Sequence, residues 1–169
     1  KPEVTLTDAT ICSGDAAASF DAGAGYMSYQ WSGTGGSTDA TQTTSGTTAG
    51  TYIVHVVDAN TCKDTATATL TVNVLPTATP VPGKRSGIGT VLVAVSNIDP
   101  PLSEVSWYDV QQAGNSISTG TDSSYTTGVL QKSKDFYARI KVPATGCVST
   151  SRITVPATIN KEPSVLIND

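Results

Sequence analysis

Histidine occurs once in this 169-residue chain, and phenylalanine and tryptophan twice each. With His55 as the sole imidazole, a His-rich zinc site and a paired-histidine catalytic centre are both excluded. Charge is also scarce, at 14% of residues. No dense block of Lys and Arg exists, so the electrostatic footprint of a nucleic-acid binder is missing. The net charge of -4 is concentrated in residues 1–75, where Lys1 and Lys63 are set against seven carboxylates. No apolar run is long enough to cross a membrane as a helix, so no membrane insertion is expected. Runs of Leu, Glu, Lys and Ala at helical spacing are absent, which argues against a helical domain. The chain opens on Lys1-Pro2-Glu3 without a signal-peptide pattern and is read as a piece of a longer protein.

What is present is Thr, Val and short alternating runs. "TATATLTVNV" (65–74) alternates strictly, with Ala66, Ala68, Leu70, Val72 and Val74 on one face. That period predicts a half-buried antiparallel strand. Further strands are predicted at 27–31, 51–58, 90–95, 104–108, 135–142 and 152–159. Turn signals such as "GTGGS" (33–37) and "DANTC" (58–62) separate them. The fold class is therefore all-β.

Prolines divide the chain. "LPTATPVPG" (75–83) reads as a semi-rigid linker, and shorter Pro-containing pieces stand at 1–4 and 162–165. This gives a domain over 1–75, a second over 76–160, and the start of a linker to a following repeat over 161–169. The two halves can be laid on one another. Pro2 to Cys12 and Pro76 to Ser86 both span 10 residues, as do Tyr52 to Cys62 and Tyr137 to Cys147. Trp31 follows Cys12 by 19 residues, and Trp107 follows Ser86 by 21. Ser86 thus stands where the first half has a cysteine. Short strands with one Trp per half predict two tandem Ig-like β-sandwiches joined by a short Pro-rich linker, with Trp31, Tyr52, Trp107 and Tyr137 as core aromatics.

Three cysteines in a Thr-rich β chain point to an oxidising compartment. A Cys12–Cys62 disulfide would close a loop of about 50 residues and stabilise a small sandwich by roughly 3–4 kcal/mol. Cys147 is then left as a free thiol, with an intermolecular disulfide as its functional alternative.

Little else suggests chemistry. No Gly-x-Ser-x-Gly elbow and no phosphate-cradling glycine loop before a helix occurs. His55 reads as a structural strand residue on one face with Ile53 and Val57. Asp58, Asn60 and Asp64 cluster in "DANTCKD" as a candidate weak cation site, although no EF-hand loop is matched. Asn60 is the residue expected to take a left-handed turn conformation. No enzyme activity, cofactor or metal is expected.

The second half carries Ser86-Gly87, Trp107-Tyr108-Asp109, Gly114, Thr119-Gly120, Phe136-Tyr137-Ala138 and Gly146-Cys147. It resembles the Ig-like repeats of large Bacteroidetes surface and secreted proteins. The first half, with "ICSGD", "YQWSGTG", "AGTYIVHVVDANTC" and "ATLTV", resembles a related repeat and is similar to repeats of the gliding-motility adhesin SprB. Those repeats typically have Cys-Gly where Ser86-Gly87 stands here. The resemblance implies export and cell-surface display. It also makes "DTA" (64–66) a match to an O-glycosylation pattern of that bacterial group, with Thr65 as the acceptor. The function implied is a non-catalytic segment of a repetitive adhesin, acting as filament spacer and contact surface. Its partners would be neighbouring repeats and surface polysaccharides. The alternative is a carbohydrate-binding or spacer module of a secreted polysaccharide-degrading enzyme.

Overall fold

The structure is a computed structural model that describes residues 2–162. Every regular element among the described residues is a strand. The chain divides into two compact units, Lys1–Val74 and Leu75–Asp169. Most of the expected linker over 161–169 lies outside the described residues.

In the first unit, β1 (Ala9–Cys12), β3 (Ser28–Ser32), β5 (Gly50–Val57) and β6 (Lys63–Asn73) form one sheet in the order β1-β6-β5-β3. β2 (Ala18–Asp21) and β4 (Thr43–Gly46) pair separately. Alternation decides which side chains are buried. Ala66, Ala68 and Leu70 of β6 face inward, as their period predicts, and Val72 packs at the edge of the same core. Val74 lies beyond the end of the strand and is exposed. Phe20 from β2 stacks on Tyr52, with ring centroids 4.5 Å apart, and joins the second sheet to the core of the first.

The second unit also has two sheets. One runs β11-β10-β13-β14-β8 and the other β12-β9-β7. Their strands are β7 (Thr77–Val81), β8 (Gly83–Ser86), β9 (Leu92–Asp99), β10 (Glu104–Tyr108), β11 (Ser118–Gly120), β12 (Ser124–Thr126), β13 (Lys134–Lys141) and β14 (Ile153–Asn160). The proline-rich stretch expected as a linker starts at the unit boundary but is drawn into this sandwich as β7 and β8. β7 is an edge strand with a register shift between Thr77 and Thr79. Such a position tolerates Pro80, because an edge strand leaves part of its N–H row unpaired. At Pro82 the chain passes from β7 in one sheet to β8 in the other. A Cβ at Gly83 would collide with the Leu92 carbonyl, so the crossing requires glycine.

Trp31, Tyr52 and Trp107 are core residues, at 2%, 1% and 1% exposure. Tyr137 is not. Trp31 faces Val54 and Trp107 faces Ala138 across their strand pairs. Counting from those partners, the counterpart of Tyr52 is Phe136, which is buried. Tyr137 is one residue on, on the opposite face, half-buried and opposite Tyr108. A one-residue offset in a strand changes the face of the side chain, so the equal Tyr-to-Cys spacing in the two halves was a coincidence of register.

The Cys12–Cys62 disulfide is not formed. Cys62 keeps a free, exposed thiol, whereas Cys12 is disulfide-bonded. The reason lies in β6. Cys12 is the last residue of β1, which runs parallel to β6 and ends opposite Asn73. Cys62 precedes Lys63 at the other end of the same 11-residue strand. At about 3.3 Å per residue, the two cysteines are separated by on the order of 30 Å, against the roughly 7 Å between Cα atoms that a disulfide spans. Cys147 is likewise disulfide-bonded and is not the odd thiol.

Candidate functional site

The cysteine-bearing ends of the two sandwiches share one backbone geometry. In the first unit, β1 ends with Cys12 opposite Asn73, and Ser13 N donates to the Asn73 carbonyl at 2.8 Å. In the second, β8 ends with Ser86 opposite Asn160, and Gly87 N donates to the Asn160 carbonyl at 3.0 Å. The equivalence of Cys12 and Ser86 read from spacing is therefore a structural one. At the other end, Asp58 N donates to the Cys62 carbonyl at 3.0 Å, and Val142 N donates to the Cys147 carbonyl at 2.8 Å. Asp58 lies four residues beyond the partner of Trp31, and Val142 four beyond the partner of Trp107. Cys62 and Cys147 thus close the same hairpin at the same position.

The hairpin carrying Cys62 is shaped by Asp58. Its Oδ1 accepts from Asn60 N at 2.8 Å and Cys62 N at 2.9 Å. This Asx-type turn uses the carboxylate to hold backbone. The left-handed residue is Thr61, at φ 62°, rather than Asn60. The Cys62 thiol lies 3.8 Å from the Asn60 carbonyl and remains exposed. Asp64, in β6, accepts from Val4 N at 3.0 Å. The candidate cation residues are thus engaged separately, Asp58 in the turn and Asp64 with the segment before β1. No group of metal-binding side chains is gathered among the described residues.

Beside the hairpin, the outer face of β3, β5 and β6 aligns Gln30, His55 and Thr65 in one row. His55 shares this outer face with Ile53 and Val57, as expected, and is exposed. Its Nδ1 and the Thr65 hydroxyl are 2.9 Å apart. These residues line a shallow concavity of about 390 Å³ with Ser28, Lys63 and Asp64. The exposed Thr65 therefore has its hydroxyl engaged by a side chain.

In the second unit, sequence reasoning missed Arg152. Its guanidinium lies 3.3 Å from the Tyr108 ring centroid. It donates to the carbonyls of Val110 at 2.8 Å, Ala113 at 2.7 Å and Gly114 at 3.5 Å. One side chain thus fixes the loop after β10. Ala113 and Gly114 of that loop are both at positive φ, but nothing in its spacing pointed to an arginine almost forty residues later.

Residues 78–160 match the family described as Ig-like domain, CHU_C associated. For the second unit this supports the likeness to Ig-like repeats of Bacteroidetes-type proteins. No curated protein matches the chain. Among solved structures it is similar to a three-Ig segment of titin (TM-score 0.46, 14% identity), covering 94% of this chain and 64% of that one. It is also similar to the fibronectin(III)-like modules of Clostridium thermocellum CbhA (TM-score 0.45, 13% identity), covering 98% and 100%. A third likeness is to Sidekick-1 immunoglobulin domains 1–4 (TM-score 0.48, 13% identity), covering 95% of this chain and 48% of that one.

Proposed function

We propose that this chain is a non-catalytic segment of a large, repetitive cell-surface adhesin, where it spaces the filament and offers contact surface. The observation that carries the reading is the duplicated geometry. Two units repeat the same cross-strand partners around Trp31 and Trp107, and the same closing bonds at Cys12 and Ser86 and at Cys62 and Cys147. A sandwich repeated with its ends preserved suits a spacer, because length then scales with copy number. Contact would come from exposed polar faces such as the Gln30–His55–Thr65 row, with Thr65 as the candidate site of O-glycosylation. Gliding motility and surface display follow from the resemblance of both halves to exported repeats.

Beads coated with the chain, set against immobilised surface polysaccharides and a glycan array, test the contact role. Adhesion under flow that competes with soluble polysaccharide is the expected result. Retention of one defined oligosaccharide in place of broad attachment would favour a carbohydrate-binding module of a secreted polysaccharide-degrading enzyme. Failure to bind any surface would remove the contact role.

A further inference from the structure

We propose that a cavity on the outer face of the second sandwich binds the anionic groups, carboxylate or sulfate, of an acidic polysaccharide. The cavity has a volume of about 370 Å³ and lies wholly within the second unit. It is formed by the loop after β10, by β13 and by the segment before β14. Gln111, Gln112, Arg139, Thr150, Ser151 and Arg152 line it, and Ala113 is the apolar exception. It therefore offers cations, amides and hydroxyls, and no carboxylate.

The sheet places the two arginines together. Ala138 and Ile140 are buried, so alternation turns Arg139 of β13 outward, where it is exposed. The register that sets Ala138 opposite Ile153 carries Arg139 and Arg152 to facing positions, just before the start of β14. Like charges facing one another across an antiparallel pair are destabilising. Among the described residues no carboxylate is bonded to either arginine. Glu104 of β10 stands opposite Lys141, and Asp109 pairs with Lys134 at 3.1 Å. The repulsion is thus left for an anion from outside to relieve.

The two arginines have complementary roles. Arg152 is half-buried and fixed by three neutral carbonyls and the Tyr108 ring, so its charge is held in place without being neutralised. Its guanidinium has further N–H donors beyond those bonds. Arg139 makes no hydrogen bond or ion pair among the described residues, so its planar fork is available beside the fixed one. Carboxylate and sulfate oxygens accept charge-assisted bonds from such forks. A cleft carrying charge of one sign also concentrates counter-ions.

The remaining lining selects what carries the anion. Gln111, Gln112, Thr150 and Ser151 are exposed and suit the hydroxyl groups of a sugar. An apolar wall that would seat a peptide side chain is missing from this lining. Ligand pockets run from about 300 to 1,000 Å³, so this one is at the small end and suits a short stretch of glycan. The Tyr108 ring is already stacked by Arg152, so recognition rests on charge and hydrogen bonds rather than on ring stacking.

The proposal rests on the contact-surface reading above and gives that contact a chemistry. The whole chain, isotope-labelled, is titrated with a polyuronate, a sulfated dextran and neutral dextran while its amide signals are followed by NMR. The polyuronate, the sulfated dextran or both are expected to shift the amides at 111–113, 139 and 150–152, and the polymer that does so identifies the anion. Neutral dextran should leave them in place. Arg139 is exposed, so Arg139→Ala should keep the fold. It should weaken binding of the acidic polymer by about ten-fold, and Arg139→Lys should recover part of the loss, because the charge returns without the planar fork. The wild-type shift map decides the case independently of either variant. Shifts confined to other parts of the chain, equal binding of neutral dextran, or an affinity unchanged by Arg139→Ala would overturn the proposal. Adhesion of the chain to polysaccharide surfaces without any shift at the cavity would also overturn it, while leaving the contact-surface reading standing.

Discussion

Trp31 Nε1 donates a 2.8 Å hydrogen bond to the carbonyl of Thr41. The counterpart indole of Trp107 is buried, and its Nε1 has no hydrogen-bond partner among the described residues. The two tryptophans fill equivalent places in their cores but differ in polar satisfaction. Replacing either by Phe removes similar packing. Trp31→Phe also leaves the Thr41 carbonyl without its donor, whereas Trp107→Phe removes a donor whose burial is uncompensated. Trp31→Phe should therefore destabilise its unit by about 1–2 kcal/mol more than Trp107→Phe does its own. Urea titration followed by the dispersed amide signals of each unit checks this, and equal losses would contradict it.

Phe136 and Tyr137 are neighbours with opposite fates. Phe136 packs against the Tyr125 ring, with centroids 5.7 Å apart, inside the core. Tyr137 stands on the other face, opposite Tyr108. Phe136→Ala should cost about 3–5 kcal/mol through the cavity it leaves. Tyr137→Ala should cost under about 1 kcal/mol, as a substitution outside the core. Reversal of that order in thermal or urea unfolding would return Tyr137 to the core.

These cases show what the sequence made legible. Strict alternation in "TATATLTVNV" identified β6 and its inward face, because a two-residue period has one reading. The tryptophans and the equivalence of Cys12 with Ser86 were also legible, since each is tied to a strand end whose length is the same in both halves. Phe136 and Tyr137 were not separable, because "DFYARI" offers two adjacent aromatics and only the partner strand decides which faces in. The Cys12–Cys62 pairing failed for a related reason. Chain separation gives loop length, but whether two ends meet depends on β1 running parallel to β6, and a parallel pairing leaves no short-range signal. Short strands such as β2, β4 and β12 escaped notice because three or four residues do not establish a period.

Arg152 should behave as a structural cation. Stacked on Tyr108 and bonded to three carbonyls, it holds the loop at 110–114. Arg152→Lys keeps the charge but loses the planar fork, and should cost about 1–2 kcal/mol with little recovery at low salt. Hydrogen exchange of the amides at 110–114 should accelerate at the same time. Unchanged exchange would mean that the loop holds itself.

Asp21 supplies a pH test. Its carboxylate accepts from Gln42 Nε2 at 2.8 Å and from Gly23 N at 2.8 Å, and these bonds hold its pKa below the usual aspartate value. A depressed folded pKa contributes stability that is present above the unfolded value and lost as pH falls through the folded one. In an NMR titration the Asp21 carboxyl should therefore protonate below the ordinary aspartate range, and Gln42→Ala should raise its midpoint. A midpoint unmoved by that substitution would show that the Gly23 amide alone sets it.

The three thiol positions give the most direct check on the structure. Maleimide labelling of the unfolded chain without reductant should modify one residue, Cys62, and leave Cys12 and Cys147 unmodified until a reductant is added. The same residue should label in the folded state, because its sulfur is exposed. Cys62→Ser should abolish that labelling and change stability by no more than about 0.5 kcal/mol, as for a surface substitution without buried contacts. Had Cys62 been bridged to Cys12, the same substitution would expose a second thiol and cost several times more, roughly 2–4 kcal/mol. Peptide mapping that finds the label on Cys147 would overturn the assignment of the free thiol, and with it the distinction between the two hairpin ends.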